Sequence, residues 1–305
     1  MHIPEHMVNG PICPVTAGLA IAGIAAAAFF AVKSKDKPAA LKFAAVTSLI
    51  FAAQMLNFPV LDGTSGHMIG VTLAVLALGA PFGVISMAIV LAVQTLLFAD
   101  GGLMVLGTNI LNMALVASIP GIILGFILKN EKISGNIPLK LGLVVFASWL
   151  STVLASIACA VELGVSGAIA LSAALPAMLS VHLLIGIGEG ILTGAFAAMF
   201  ENRTVRRSAK LSFALPLASA GVIALVLSPF ASALPDGLEW AAAKFNALHD
   251  AAPLFVAPIA DYAAPFLSDP VLSASAAGLI GIAAVFAVSI LTGLIFNPKP
   301  AAVKA

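Results

Sequence analysis

Charged residues are scarce in this sequence. Asp, Glu, Lys and Arg make up 9% of its 305 residues, whereas about a quarter is usual in a soluble domain. Because hydrophobic residues account for 61%, the composition excludes a soluble globular protein and a disordered chain. The net charge of +1 and the lack of a basic block exclude nucleic-acid binding on electrostatic grounds. The composition indicates a polytopic membrane protein surrounded by lipid.

Cysteines are also few. Cys13 and Cys159 cannot build a disulfide framework, so we interpret both as packing residues and leave open whether they pair. No G-x-x-x-x-G-K-[ST] motif occurs, so we expect no bound nucleotide and no ATP hydrolysis by this chain. Residues 1–12 contain no Lys or Arg and do not have the pattern of a secretory signal peptide.

Long apolar stretches fill most of the sequence. Each is compared with the roughly 20 residues that a spanning helix needs. We divide 68–99 at Gly79-Ala80-Pro81 into two short helices and keep 171–199 whole despite Pro176. This division predicts nine spans, of which the third, near Gly66–Ala80, is short for a full crossing.

The basic residues orient these spans. In the nine-span arrangement all but one of the 14 Lys and Arg residues lie on one side, and only Lys244 lies on the other. The positive-inside rule then predicts a cytoplasmic-membrane protein with its N-terminus outside and its C-terminus inside. The basic segments are 33–42, 129–140, 201–210 and the tail from 297.

The long outer loop 233–270, which contains five prolines, suggests a division of the chain. We predict an all-α polytopic membrane protein with a seven-helix core, residues 1–207. An accessory domain, residues 208–305, would add two further transmembrane helices and an outer loop.

Histidines near the outer face suggest a metal site. We expect Met1 to be retained because His2 is large. A free Met1 amine, the His2 amide and the His2 imidazole can then chelate one ion, and His67 can supply a fourth nitrogen. Planar nitrogen coordination favours Ni(II) or Cu(II) and tolerates Co(II). Binding would deprotonate the amide, so uptake should weaken at low pH. The alternative is a disordered chain terminus.

Six segments of the chain have the pattern of known families. They are MHIP at the start, FAAQMLNFPV at 51–60, DGTSGHMIG at 62–70, QTLLFADGGLMVLGTNILNM at 94–113, VHLLIGIGEGILT at 181–193 and PDGLEW at 235–240. The first five resemble the CbiM/NikM family, whose members are substrate-capture (S) components of energy-coupling factor transporters for cobalt and nickel. The sixth resembles the PDGLE-type accessory subunits CbiN and NikN.

The resemblance implies high-affinity uptake of Ni(II) or Co(II), with the ion as transported substrate. It implies ligation by the Met1 amine, the His2 amide and imidazole, and the His67 imidazole. It also implies a transmembrane coupling (T) subunit and two ATP-binding cassette ATPases as partners. The metal would feed cobalamin synthesis or nickel enzymes, and the sequence does not choose between nickel and cobalt. His6 departs from the family pattern, and we place it at the outer surface, with a donor role as the alternative.

Polar residues within or next to predicted spans are further candidates, because they are costly in lipid. Asn57, Asn109 and Ser65 can hydrogen-bond the ligands or the N-terminal backbone, whereas Gln94 and Asn112 favour contacts between helices. The remaining candidates are assigned to other roles. His182 and Glu189 are interpreted as a structural polar network, His249 as a solvent-exposed loop residue, and Ala44, Ser48 and Ala52 as a close-packing seam that could dock the coupling subunit.

Two other functions remain open at this point. Gly63-Thr64-Ser65-Gly66 has the shape of an intramembrane serine protease motif, with His182 as a base. An ion-driven secondary carrier would transport without a partner ATPase. The protease hypothesis assigns no role to the MHIP terminus. We therefore expect a transporter component and not an enzyme.

Overall fold

The structure is a computed structural model that describes residues 1–202, 204–205, 208–247 and 254–297. Two short strands, β1 (Phe58–Pro59) and β2 (Ser65–Gly66), pair antiparallel before α3. The helices are α1 (Ile12–Lys33), α2 (Ala40–Gln54), α3 (Val71–Leu78), α4 (Ala80–Phe98), α5 (Leu106–Ile127), α6 (Ile137–Val165), α7 (Leu171–Glu201), α8 (Ala209–Phe230), α9 (Gly237–Lys244) and α10 (Pro270–Phe296), with a single turn at Glu131–Ser134.

The all-α membrane fold is confirmed. Seven helices in the described part of the chain are long and apolar enough to cross a membrane: α1, α4, α5, α6, α7, α8 and α10. Each of the nine predicted spans coincides with one apolar helix. Two of them are shorter than a full crossing, because α2 has 15 residues and α3 has 8. The short third span was expected, and the short second span was not.

The break between α3 and α4 lies at the predicted glycine. Gly79 has φ 87°, a left-handed conformation that costs a glycine little and other residues much more. The chain then turns back so closely that a Cβ built at Gly83 would lie 2.7 Å from the Val75 backbone. In contrast, α7 continues through Pro176, which lies in its second turn.

Helix α2 is the buried centre of the bundle. Every residue from Phe43 to Gln54 is buried, and α4, α8 and α10 pack around it. The hydroxyl of Ser48 donates to the Ile282 carbonyl of α10 at 3.4 Å. The last helices of the chain are therefore part of the bundle core.

This packing corrects the predicted docking seam. Ala44, Ser48 and Ala52 are each 0% exposed, and the seam faces the chain's own α10. Small residues do permit close helix approach, but the sequence alone did not reveal which helix makes it. A separate coupling subunit cannot reach these side chains.

The basic segments contact one another at helix ends. Lys37 donates to the Phe296 carbonyl at 3.0 Å, and Asn297 donates to the Pro38 carbonyl at 2.8 Å. Lys140 forms an ion pair of 2.6 Å with Glu201. These contacts join the segment before α2 to the end of α10, and the start of α6 to the end of α7. Cys13 and Cys159 are both free thiols.

We expect the contact between α2 and α10 to be sensitive to overpacking. A Cβ built at Gly281 would lie 2.1 Å from Phe51 Cζ, so Gly281→Val should destabilise the protein by about 1–3 kcal/mol. Thermal unfolding of the purified protein in detergent measures this loss. Gly125→Val is the matched control, because a Cβ at Gly125 meets nothing within 4 Å. Equal melting temperatures for the two variants would contradict this packing.

Candidate metal site

The N-terminal segment lies inside the bundle. Met1 is 5% exposed and Ile3 is fully buried, and Met7 and Val8 join the hydrophobic core. The short apolar segment before α1 thus packs as core, which excludes the alternative of a disordered terminus.

Backbone hydrogen bonds hold this segment in place. The Asn109 side chain accepts from the Ile3 amide at 2.8 Å and donates to the Ile3 carbonyl at 3.2 Å. Gly102 also donates to that carbonyl, at 3.0 Å. The Glu5 carboxylate accepts from the amides of Leu103 and Met104 at 2.6 and 3.2 Å. Asn109 therefore has the predicted role of binding the N-terminal backbone.

The Met1 amine meets the His67 imidazole. Its nitrogen lies 2.8 Å from His67 Nε2. His67 Nδ1 lies 3.2 Å from the Met68 carbonyl. A carbonyl only accepts, so Nδ1 carries the proton and Nε2 presents its lone pair to the amine. The His2 ring stacks on the His67 ring, with centroids 5.2 Å apart and an interplanar angle of 18°.

A chain of amides orients the His2 ring. Gln54 donates to the Ile69 carbonyl at 2.6 Å, and Gln94 donates to Gln54 Oε1 at 2.8 Å. This leaves Gln94 Oε1 as an acceptor 3.1 Å from His2 Nε2. The other ring nitrogen, Nδ1, lies 3.1 Å from Asp100. Gln94 was assigned to contacts between helices, and the structure adds this contact with His2.

Burial favours the neutral form of both rings. Burial and the positive charge of the Met1 amine lower the pKa of His67 to about 3. Burial also lowers the pKa of His2, although the Asp100 carboxylate opposes this shift. Burial opposes ionisation of Asp236 as well, but the Met1 amine outweighs it and holds the pKa of that carboxyl below its usual range. Neutral imidazoles have lone pairs available for a metal ion.

The sequence analysis assigned neither Asp100 nor Asp236 to the site, and Asp236 contacts the Met1 amine. Its carboxylate forms an ion pair with the Met1 amine and lies 4.0 Å from His67 Nε2. The backbone here pairs with Ser65, which donates from its amide to the Pro235 carbonyl at 2.8 Å. The Ser65 hydroxyl donates to the Leu234 carbonyl at 2.7 Å. The PDGLE motif was the available signal, but it was interpreted only as a family feature.

One nitrogen–nitrogen distance in this cluster matches the spacing in a planar transition-metal site. With metal–nitrogen bonds of about 2.0 Å, neighbouring donors in a planar site lie about 2.8 Å apart, which is the distance from the Met1 amine to His67 Nε2. Among the described residues, no group of three or more His, Cys, Asp or Glu side chains is arranged to hold a metal ion.

The remaining candidates are Asn57, which lines a cavity together with His2 and His67, and Glu189, His6 and His249. Asn57 accepts a backbone bond from Ser232, and its side-chain oxygen has no partner among the described residues. Glu189 accepts from the amides of Ile69 and Gly70 at the start of α3, and so supports the turn after His67. His6 is partly buried with φ 66°. His249 lies outside the described residues.

The protease hypothesis is not supported by its two residues. Ser65 is fully buried, and its hydroxyl donates to the Leu234 carbonyl instead of to an imidazole. His182 Nδ1 lies 2.7 Å from the Met178 carbonyl in its own helix. Both side chains are thus committed to backbone acceptors, and they form no hydrogen bond with each other among the described contacts.

The fold and this site define an α-helical membrane protein with a pocket that contains the Met1 amine and two imidazoles. Residues 2–209 match the CbiM family, described as the cobalt uptake substrate-specific transmembrane region. Residues 212–298 match the PDGLE domain. The chain belongs to the CbiM family and carries a PDGLE domain after it.

Three relatives illustrate the similarity. A putative fused nickel transport protein NikMN of Archaeoglobus fulgidus is 32% identical over 94% of this chain and 96% of its own. A cobalt transport protein CbiM of Clostridium cellulovorans is 35% identical over 35% of this chain and 41% of its own. A crystal structure described as a transition metal transporter shares 30% identity at a TM-score of 0.59, covering 70% of this chain and 96% of that one.

Replacing Asn109 should lower metal affinity, whereas replacing Asn57 should not. Asn109→Ala removes both side-chain bonds to Ile3, so metal affinity should fall about 10-fold, as for other groups that orient ligands. Titration calorimetry with Ni(II) measures the change. Asn57→Ala is the matched control and should bind as the unaltered chain does. A loss that is equal in the two variants would contradict the assigned role of Asn109.

Proposed function

We propose that this chain is the substrate-capture component of an energy-coupling factor ABC transporter that takes up Ni(II) or Co(II). The observation that carries the proposal is the meeting of the Met1 amine with His67 Nε2 at 2.8 Å, beside the stacked His2 ring. The named relatives support both metals, since one is a nickel and another a cobalt transport protein.

The proposed ligands are the Met1 amine, the His2 amide and imidazole, and the His67 imidazole. Gln94 accepts from His2 Nε2, which leaves Nδ1 free to ligate in the ring with the His2 amide. His2 Nδ1 faces Asp100 in the structure, so the ion would replace this carboxylate at Nδ1. Planar nitrogen coordination suits Ni(II) and tolerates Co(II).

The direction of transport follows from the basic segments. We propose that the N-terminus and metal site face the outside of the cytoplasmic membrane, and that the C-terminus lies inside. A separate coupling subunit and two ATPases would supply the energy, because the chain has no phosphate-binding loop of the G-x-x-x-x-G-K-[ST] type. The ion released inside would serve cobalamin synthesis or nickel enzymes.

One added residue before Met1 tests the chelate. A glycine at this position keeps every side chain but moves the amine away from His67, so Ni(II) and Co(II) affinity should fall at least about 100-fold. Calorimetry on the full chain in detergent measures it. The control is the same chain released from a cleavable tag so that it begins at Met1. Unchanged affinity in the extended chain would contradict the amine as a ligand.

Reconstitution separates the coupled transporter from a secondary carrier. Proteoliposomes with this chain alone should bind Ni(II) without accumulating it. Uptake should appear when the coupling subunit, the ATPases and ATP are present, and it should stop with a non-hydrolysable ATP analogue. Uptake by the chain alone, driven by an ion gradient, would favour the secondary carrier.

A further inference from the structure

One acidic side chain from the PDGLE segment lies inside the proposed metal site. Its two carboxylate oxygens have different tasks. Asp236 Oδ1 accepts from the amides of Leu238 and Glu239 at 2.8 and 2.9 Å, which caps α9. Asp236 Oδ2 contacts the Met1 amine and lies 4.0 Å from His67 Nε2. The carboxylate therefore joins the start of α9 to the end of the chain.

The surrounding backbone fixes this carboxylate from two sides. Glu239 accepts from the Asp236 amide at 2.9 Å and completes a capping box. Two bonds from Ser65 hold the preceding residues. The following residue, Gly237, lies so near α7 that a Cβ there would be 2.8 Å from His182 Cε1. Asp236 thus has little freedom to leave the amine.

The contact between Asp236 and the Met1 amine places a negative charge beside the proposed metal ion. A divalent ion bound through one deprotonated amide retains one net positive charge, and both imidazoles are neutral. A buried charge is costly unless an opposite charge accompanies it. A metal-bound amine also keeps N–H groups that need an acceptor. Asp236 Oδ2 lies where it can meet both needs.

We propose that Asp236, supplied by the PDGLE segment, is a positioning residue that clamps the Met1 amine and provides the counter-charge for the bound metal ion. This inference rests on the proposed function and deepens it. The C-terminal segment then takes part in metal binding, because its Asp236 contacts the Met1 amine that ligates the ion.

Two variants test the clamp. Asp236→Asn keeps the helix cap, since Asn caps as well as Asp, but removes the charge. The control is Asp261→Asn, which removes an exposed acid from the cavity of about 440 Å³ that His2 and Asp236 also line. In the full chain, Ni(II) affinity by calorimetry should fall about 10- to 100-fold for Asp236→Asn and stay near wild type for Asp261→Asn.

A second measurement needs no metal. Mass spectrometry can measure the rate at which the Met1 amine is acylated. This rate should be higher in metal-free Asp236→Asn than in wild type, because the amine loses its carboxylate partner. Asp261→Asn should react as wild type does. A purely structural role for the cap would leave this rate unchanged, since Asn preserves the cap.

The outcomes separate this inference from the proposed function. If the glycine extension abolishes binding but Asp236→Asn matches wild type in affinity and acylation, the clamp is wrong and the chelate stands. If Asp261→Asn loses as much affinity as Asp236→Asn, the effect is general charge attraction and the clamp is again wrong. If the extension leaves binding intact, the chelate fails, while acylation still reports whether Asp236 holds the amine.

Discussion

The contact between the Met1 amine and the His67 imidazole requires that the end of the chain be buried in the bundle. A chain terminus carries charge and backbone polar groups, so burial needs a partner for each. Asp236 balances the amine, and Asn109 pairs with both backbone groups of Ile3. Much of this end of the protein is thus arranged around three residues that have no regular secondary structure.

The CbiM core and the C-terminal PDGLE region are joined by contacts at two places. Helix α10 packs on α2 through small residues such as Gly281, while Asp236 of the PDGLE segment contacts the Met1 amine. The C-terminal region therefore contacts the core both within the bundle and at the pocket. The fusion places Asp236 and the amine in the same polypeptide.

Sequence reasoning was strong where composition and local chemistry decide the outcome. Span order and the break at Gly79 follow from apolar length and glycine, whereas the joint assignment of Met1, His2 and His67 depended on the family resemblance. It was weak where partners lie far apart in the chain. The roles of Gln94 and Asp236, and the helix that covers Ser48, depend on tertiary packing that no local pattern encodes. Asn57 and Asn109 had equal standing in the sequence, and only their positions separate them.

The ion pair between Met1 and Asp236 joins residues 235 positions apart. During translation, Met1 is synthesised long before Asp236. Eight helices, α1 to α8, are therefore synthesised after the Met1 amine and before Asp236, the acid that pairs with it. In that interval, any formyl or acetyl group left on the nitrogen would remove its charge. The contact between the amine and its acid can therefore form only after Asp236 has been synthesised, although the amine belongs to residue 1.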